Sequence, residues 1–108
     1  MRESELTGDQ LLQALSTLAN PHRLRVVAAL RPGRQYVSAM ARQLGISRPL
    51  LQMHLRKLQA AGLVTAQLEL ADDGKAVNYY SLTPFALHLS PDTIARAVHT
   101  LSDGEEGR

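Results

Sequence analysis

Residues 38–62 read SAMARQLGISRPLLQMHLRKLQAAG, and this pattern predicts two helices joined by a short turn. Ser38 is predicted to cap the first helix, and Gly45 suits the left-handed position that ends it. Ser47 is predicted to cap the second helix, which has Pro49 in its first turn. Two helices joined in this way form a helix-turn-helix.

This segment lies in a part of the chain that contains no acidic residue. Between Gln10 and Leu68 there are eight Arg and Lys side chains and no Asp or Glu, although the formal net charge of the chain is only +2. Such a stretch repels itself and attracts a polyanion. Its overlap with the helix-turn-helix pattern predicts DNA binding. The competing interpretation is a solvated helix face.

Three further helices are predicted on either side of this motif. Leucines at helical spacing indicate a first helix from about Asp9 to Leu18, and Asn20-Pro21 is a start signal for a second helix. A last helix is predicted to open at Ser90-Pro91 and to run through Leu101.

A β-hairpin is predicted between the motif and the last helix. After Gly62 the apolar period becomes alternating, and Asp72-Asp73-Gly74 is a hairpin turn signal. The chain is expected to return as a second strand from Val77 to Leu82. The predicted fold is mainly α with a β-hairpin wing. Its order ααααββα is that of a winged helix-turn-helix.

Length and composition indicate one domain. The 108 residues are 44% apolar and include no Cys, which excludes a disulfide framework, a thiolate metal site and a cysteine nucleophile. No apolar run approaches the roughly eighteen residues of a membrane helix. We therefore expect a cytoplasmic protein without a membrane contact. Its domain is predicted at 9–101, between a flexible N-terminus (1–8) and a flexible acidic tail (102–108).

The second helix of the motif presents an exposed face suited to a major groove. At 100° per residue, Leu55 and Leu58 fall within about 40° of Leu51 and form a buried stripe. On the other side, Gln52 can read adenine, while an arginine can read guanine or hold phosphate. The predicted DNA contacts are Ser38, Ser47, Arg48, Pro49, Gln52, Met53, Arg56, Lys57 and, in the hairpin, Lys75.

Other basic residues leave two interpretations open. Arg34 and Arg42 are expected to contact phosphate or to be solvated, and Arg23 to pair with an acid or contact DNA. His54 lies at the edge of the buried stripe. A hydrogen bond between helices there competes with direct phosphate contact.

Several ordered motifs resemble the ArsR/SmtB family of bacterial winged-helix regulators. They are LANPHRLR (18–25), LGIS (44–47), HLRKLQAAGLV (54–64) and NYYSL (78–82). The resemblance covers about residues 15–82. It implies a homodimer, joined through the first and last helices, that binds a near-palindromic operator. It also implies repression of transcription until an effector releases the DNA.

The chain departs from the family pattern in three respects, one of which is that the metal pattern of the last helix is only partly matched. The cysteine metal motif of the recognition helix is absent, because the chain contains no Cys. The wing carries Glu69, Asp72 and Asp73, and only Lys75 is a plausible phosphate contact there. We therefore expect recognition to rest mainly on the helix that follows Ser47.

The family's other sensor site lies on the last helix and combines a carboxylate and a His from each subunit. His88 with Asp92, and His99 with Asp103, are each four residues apart, and this spacing predicts one helical face. An antiparallel partner helix would bring the two pairs together, and such ligands suit Ni or Zn. The competing interpretation is exposed or interfacial histidines that bind no metal.

The functional hypothesis is a dimeric, sequence-specific transcriptional regulator whose effector changes the spacing of the recognition helices. The alternatives are a winged-helix module that binds protein and a metal-independent regulator controlled by a partner protein. An enzyme is not expected, because the chain has no Cys, no Gly-rich phosphate loop and no supported Ser-His-Asp set.

Overall fold

The computed structural model describes residues 6–102, which form the winged helix-turn-helix that the sequence predicts. The helices are α1 (Gly8–Leu18), α2 (Pro21–Leu30), α3 (Val37–Leu44), α4 (Arg48–Ala60) and α5 (Pro91–Val98). The strands are β1 (Gln35–Tyr36), β2 (Val64–Leu70) and β3 (Ala76–Leu82). Among these residues, no helix is both long and apolar enough to cross a membrane.

One apolar core joins α2, α3, α4 and the base of the hairpin. Leu51, Leu55 and Leu58 of α4 are each 0% exposed, so the predicted stripe is buried. The other large side chains that are almost fully buried are Val26, Leu30, Met40, Leu63 and Val64. This packing determines which face of α4 is turned toward solvent.

Most helices begin where the sequence places a capping residue. The side chains of Asn20, Ser47 and Ser90 each accept a hydrogen bond from a backbone amide in the first turn of the helix that follows. Thr7 forms a capping box with Gln10, so α1 begins one residue before the predicted Asp9.

The prediction that Ser38 caps α3 is wrong. The helix begins at Val37, and its N-cap is Tyr36, which makes no side-chain capping bond. The reason is strand β1, which leads directly into the helix.

The sheet is antiparallel with the strand order β1-β3-β2. In the hairpin, Val64 pairs with Leu82 and Leu70 pairs with Ala76. The predicted turn is present, and Gly74 adopts a φ of 83° there, in the left-handed region that glycine tolerates. Strand β1 pairs only with Tyr79 and Tyr80 of β3, so the far half of the hairpin projects beyond it.

The last helix is shorter than predicted and does not contain His88. It begins at Pro91, with Ser90 as its cap, and ends at Val98, with His99 as the C-cap residue. The prediction that His88 and Asp92 share one face of this helix is therefore wrong, because the Ser-Pro start signal lies after His88. Asp103 lies outside the described residues, as do 1–5 and 104–108, which belong to the predicted flexible ends.

Helices α1 and α5 cross closely at Gly8. The Gly8 amide donates a hydrogen bond to Thr100 Oγ1 (2.7 Å), and the Ser102 amide donates one to Asp9 Oδ1 (2.9 Å). A Cβ atom at position 8 would meet the carbonyl oxygen of Ala97 and lie 2.9 Å from Leu101 Cα. The crossing therefore requires glycine.

Candidate nucleic-acid interface

The turn between α3 and α4 sets the position of α4. Gly45 adopts the left-handed conformation (φ 68°, ψ 32°), and its amide donates to the carbonyl of Ala41. The Ile46 amide donates to the same carbonyl at 3.2 Å. The chain then reaches the cap Ser47, which accepts a hydrogen bond from the amide of Leu50 at 3.3 Å.

All nine predicted DNA contacts are at least partly accessible. Ser38, Gln52 and Met53 are half-buried, and the remaining six are exposed. Ser38 and Arg48 line one shallow depression together with Arg42, so α3 and the start of α4 form a continuous surface. Lys75 stands apart in the hairpin turn, where Asp73 accepts a hydrogen bond from its amide.

The exposed face of α4 is positively charged. Arg48, Arg56 and Lys57 are exposed and form no ion pair with any of residues 6–102. Arg42 on α3 has the same properties. Because no acidic side chain occurs between Gln10 and Leu68, no carboxylate of this segment neutralises the basic side chains, and the surface can attract phosphate.

His54 lies on the inner face of α4 and is 2% exposed. Its Nδ1 accepts a hydrogen bond from Arg23 Nε (3.2 Å), and its ring lies 5.3 Å from that of His22. Burial lowers the pKa of His54, and the charges of Arg23, His22 and Lys57 lower it further. The bond between helices that the sequence predicts for His54 is thus present.

Among residues 6–102, Arg23 forms no ion pair with an acid, which was one of its two predicted partners. Besides its bond to His54, its guanidinium donates a hydrogen bond to the carbonyl of Thr17 at the end of α1 (3.1 Å). It therefore ties α1, α2 and α4 together. No local pattern indicates this role of Arg23, because the residues that it joins are far apart in the chain.

Arg34 is engaged within the protein. It forms a bidentate ion pair with Glu69 of β2, and its guanidinium carbon lies 4.0 Å from the centre of the Tyr79 ring. The hydrogen bonds from Arg34 lower the pKa of the Glu69 carboxyl. The ion pair ties the wing to the segment before α3.

Two of the predicted metal ligands share a cavity. His88 and Asp92 line a cavity of about 580 Å³ between the start of α1 and α5, and Arg96 lines it as well. His99 is exposed at the end of α5. Residues 6–102 contain no group of three or more side chains that could hold a metal ion. A metal site within one chain would thus have two ligands, His88 and Asp92, close to the Arg96 guanidinium.

Comparison with known proteins identifies the family. Residues 18–67 match the family model described as a helix-turn-helix domain. An HTH-type transcriptional regulator of Methanocaldococcus jannaschii is 30% identical over 79 residues, which cover 73% of this chain and 82% of that protein. The HTH-type transcriptional repressor SmtB of Mycobacterium tuberculosis is 32% identical over 85 residues. The chain belongs to the ArsR/SmtB family.

A solved structure agrees with this membership. It is the homodimeric winged helix-turn-helix DNA-binding domain of a possible ArsR-family regulator from Mycobacterium bovis, with a TM-score of 0.63 and 27% identity over 82% of this chain and 70% of that one. The match to SmtB covers 79% of this chain but only 60% of that repressor. Because these relatives are transcriptional regulators, the prediction that this ArsR/SmtB protein is not an enzyme is confirmed.

Proposed function

We propose that this ArsR/SmtB-type regulator binds duplex DNA sequence-specifically, with α4 in the major groove. The observation that carries the proposal is the division of α4 into two faces. One face is held by Leu51, Leu55 and Leu58, each 0% exposed, and the other presents to solvent basic side chains that form no ion pair with residues 6–102. The major groove of DNA admits one helix. A helix that is packed on one side and basic on the other suits it.

Each polar side chain on this surface has a distinct proposed role. Arg48 lies at the start of α4, where the helix N-terminus also favours a phosphate. Gln52 is one turn further and can make a bidentate contact with adenine, beside Met53, which can contact a thymine methyl group. Arg56 and Lys57 follow, and either can bind phosphate or guanine. Ser38, Ser47, Pro49 and Lys75 complete the proposed contact surface.

The proposed regulator is a homodimer joined through α1 and α5. These elements expose apolar side chains: Leu12 is 58% exposed, Ile94 44% and Val98 54%. Burial of such a surface against a second copy is the ordinary way to remove it from water. A two-fold dimer would read a near-palindromic operator with half-sites about one DNA turn apart. Binding chromosomal DNA also requires a cytoplasmic location.

Two measurements test this proposal. Selection from a pool of random duplexes should enrich a near-palindromic sequence, and light scattering should give the mass of a dimer. Val98→Glu should produce monomers with weaker DNA binding, because it places a charge in the proposed contact. Ala71→Glu adds the same charge in the hairpin turn and should leave the dimer intact. An unenriched pool would favour the alternative, a winged-helix module that binds protein.

A response to Ni or Zn is a second proposal, supported by the cavity that His88 and Asp92 share. With His99 and Asp103 of the partner subunit, they would supply two imidazoles and two carboxylates, a donor set that suits these metals. Arg96 in the same cavity opposes a cation. Calorimetry of the dimer with Ni or Zn tests the site: His99→Ala should abolish stoichiometric binding, and His22→Ala should retain it. Binding unaffected by His99→Ala would favour a regulator controlled by a partner protein.

A further inference from the structure

The far half of the wing exposes two leucines on an open strand edge. Leu68 and Leu70 of β2 are 65% and 77% exposed, the largest values among the big apolar side chains of residues 6–102. In the order β1-β3-β2, strand β2 lies at the edge of the sheet and pairs only with β3. Alternate peptide N–H and C=O groups of β2 therefore point away from the sheet.

This edge lacks the features that usually prevent strand pairing. Protected edges carry lysine, proline or an inward-pointing charge. Strand β2 reads VTAQLEL and contains no Lys and no Pro. Its single charge, Glu69, is bound by Arg34 of the same chain. Within β2 itself, no unpaired charge among the described residues therefore repels another strand.

The charge of the hairpin also argues against a phosphate contact at this edge. Residues 6–102 contain five acidic side chains, and three of them, Glu69, Asp72 and Asp73, lie in the hairpin. Only Lys75 is basic there. An acidic hairpin with exposed leucines is poorly suited to a polyanion and well suited to a protein surface.

We propose that β2 pairs edge to edge with β2 of a second copy of this chain, antiparallel and with Leu68 on the two-fold axis. Along β2 the residues at even positions are all apolar and those at odd positions all polar. A pairing centred on Leu68 sets Leu70 opposite Ala66 and keeps all apolar side chains on one face, because the side-chain period of a strand is two.

The same register avoids any contact between carboxylates. Gln67 lies opposite Glu69, so each Glu69 faces an amide rather than a second acid. Val64 at the base of the strand is only 1% exposed, which confines the pairing to residues 66–70. Because this interface is small, its affinity is expected to be low, so that the fraction of paired chains depends on protein concentration. This dependence would limit the strand pairing to high local concentrations, such as those of dimers bound at neighbouring sites on DNA.

The pairing goes beyond the proposed function, because it uses a surface separate from α1, α5 and the exposed face of α4. If α1 and α5 form the dimer, wing pairing joins two dimers into a tetramer. Only the stoichiometry rests on the proposed dimer. The strand pairing itself does not require DNA.

Cross-linking through one introduced cysteine tests the register directly, because the natural chain has no Cys. Residues opposite each other in an antiparallel pair have Cα atoms about 4.5–5.5 Å apart, within the range of about 4.4–6.8 Å that a disulfide spans. Under mild oxidation, Leu68→Cys should therefore link two chains. Asn78→Cys is the control, since Asn78 is exposed and lies opposite Leu68 on β3 of the same hairpin. Equal linking of both variants, or no linking of Leu68→Cys, overturns the proposal.

Sedimentation velocity tests the association without a cross-link. The wild-type dimer should form a larger species as concentration rises, and the double variant Leu68→Lys/Leu70→Lys should not. Ala76→Lys adds a charge to β3 beside Leu70 and should behave as wild type. A wild type that remains a dimer at every concentration, or a double variant that associates equally well, contradicts wing pairing. Binding to a single operator tests the proposed function separately. The double variant should retain this binding.

Discussion

Arg23 Nε on α2 donates a hydrogen bond to His54 Nδ1 on α4, with the two nitrogens 3.2 Å apart. An imidazole that accepts at Nδ1 carries its proton on Nε2 when neutral. This Nε2 is buried and has no partner among residues 6–102. The helix proposed to enter the DNA groove is therefore joined to α2 through a neutral histidine. Protonation of that histidine is expected to lower the stability of the domain.

The stability of the domain should fall as the pH decreases below about 6.5 because of His54. Burial lowers the pKa of His54 from its ordinary value of 6.5 in the folded chain. Below that value the unfolded chain binds more protons than the folded chain, so the free energy of unfolding decreases with falling pH. Above pH 6.5, His54 is neutral in both the folded and the unfolded chain, so its contribution to the free energy of unfolding no longer changes with pH. Urea unfolding at a series of pH values measures this slope.

One variant tests whether His54 is the group responsible. His54→Gln should reduce the slope, because the titrating group is removed. Identical slopes in wild type and His54→Gln would show that His54 is not the group responsible.

Gly8→Ala should weaken the crossing of α1 and α5. The added methyl group would meet the Ala97 carbonyl and the Leu101 backbone, so the helices must separate. Overpacking of this kind costs about 1–3 kcal/mol of unfolding free energy. Thermal and urea unfolding measure the loss, and light scattering shows whether the dimer weakens with it. Ser16→Ala, at an exposed position of the same helix, should change stability by less than about 0.5 kcal/mol.

Arg56→Ala and Arg34→Ala should affect DNA binding differently. Arg56 has no ion-pair partner among residues 6–102, so its loss should lower the salt dependence of log K by about 0.9 per phosphate contact. Arg34 is already held by Glu69, and its removal should leave the slope unchanged. Anisotropy titrations at several salt concentrations give both slopes. An equal decrease in the two variants would place Arg34 in the interface.

Gln52→Ala should relax the preference for one base pair of the operator. The loss of a bidentate contact reduces discrimination at that position by about 1–3 kcal/mol. Competition among operators with single base-pair changes measures the effect. Gln59→Ala, at an exposed position near the end of α4, should keep the wild-type preference. A uniform loss of affinity for every sequence would instead assign Gln52 to a phosphate contact.

Local signals in the sequence predicted most of the fold. Ser47 and Gly45 are the residues that begin α4 and end α3, because capping and left-handed turns depend on neighbouring residues alone. Strand β1 was missed because two residues show no period, and it exists only through its pairing with Tyr79 and Tyr80. The length of the last helix was overestimated because the apolar Leu101 continues the helical spacing beyond Val98.

Contacts between distant residues could not be predicted in the same way. The Arg34–Glu69 pair joins residues 35 positions apart, and the Arg23–His54 bond joins residues 31 positions apart. No local sequence pattern spans either separation, so Arg34 was predicted to contact phosphate or to be solvated, and Arg23 to pair with an acid or contact DNA. The exposed surface of α4 was predictable, because its position follows from the buried stripe of leucines.

The most direct test of the proposed regulator is a fluorescence anisotropy titration of the protein against its own upstream promoter DNA. It should be run at two salt concentrations in EDTA, with a scrambled duplex of equal length as the control. We predict tight binding to the promoter, weakened strongly by salt, and much weaker binding to the scrambled duplex. Equal affinity for both duplexes at each salt concentration would contradict sequence-specific recognition by α4.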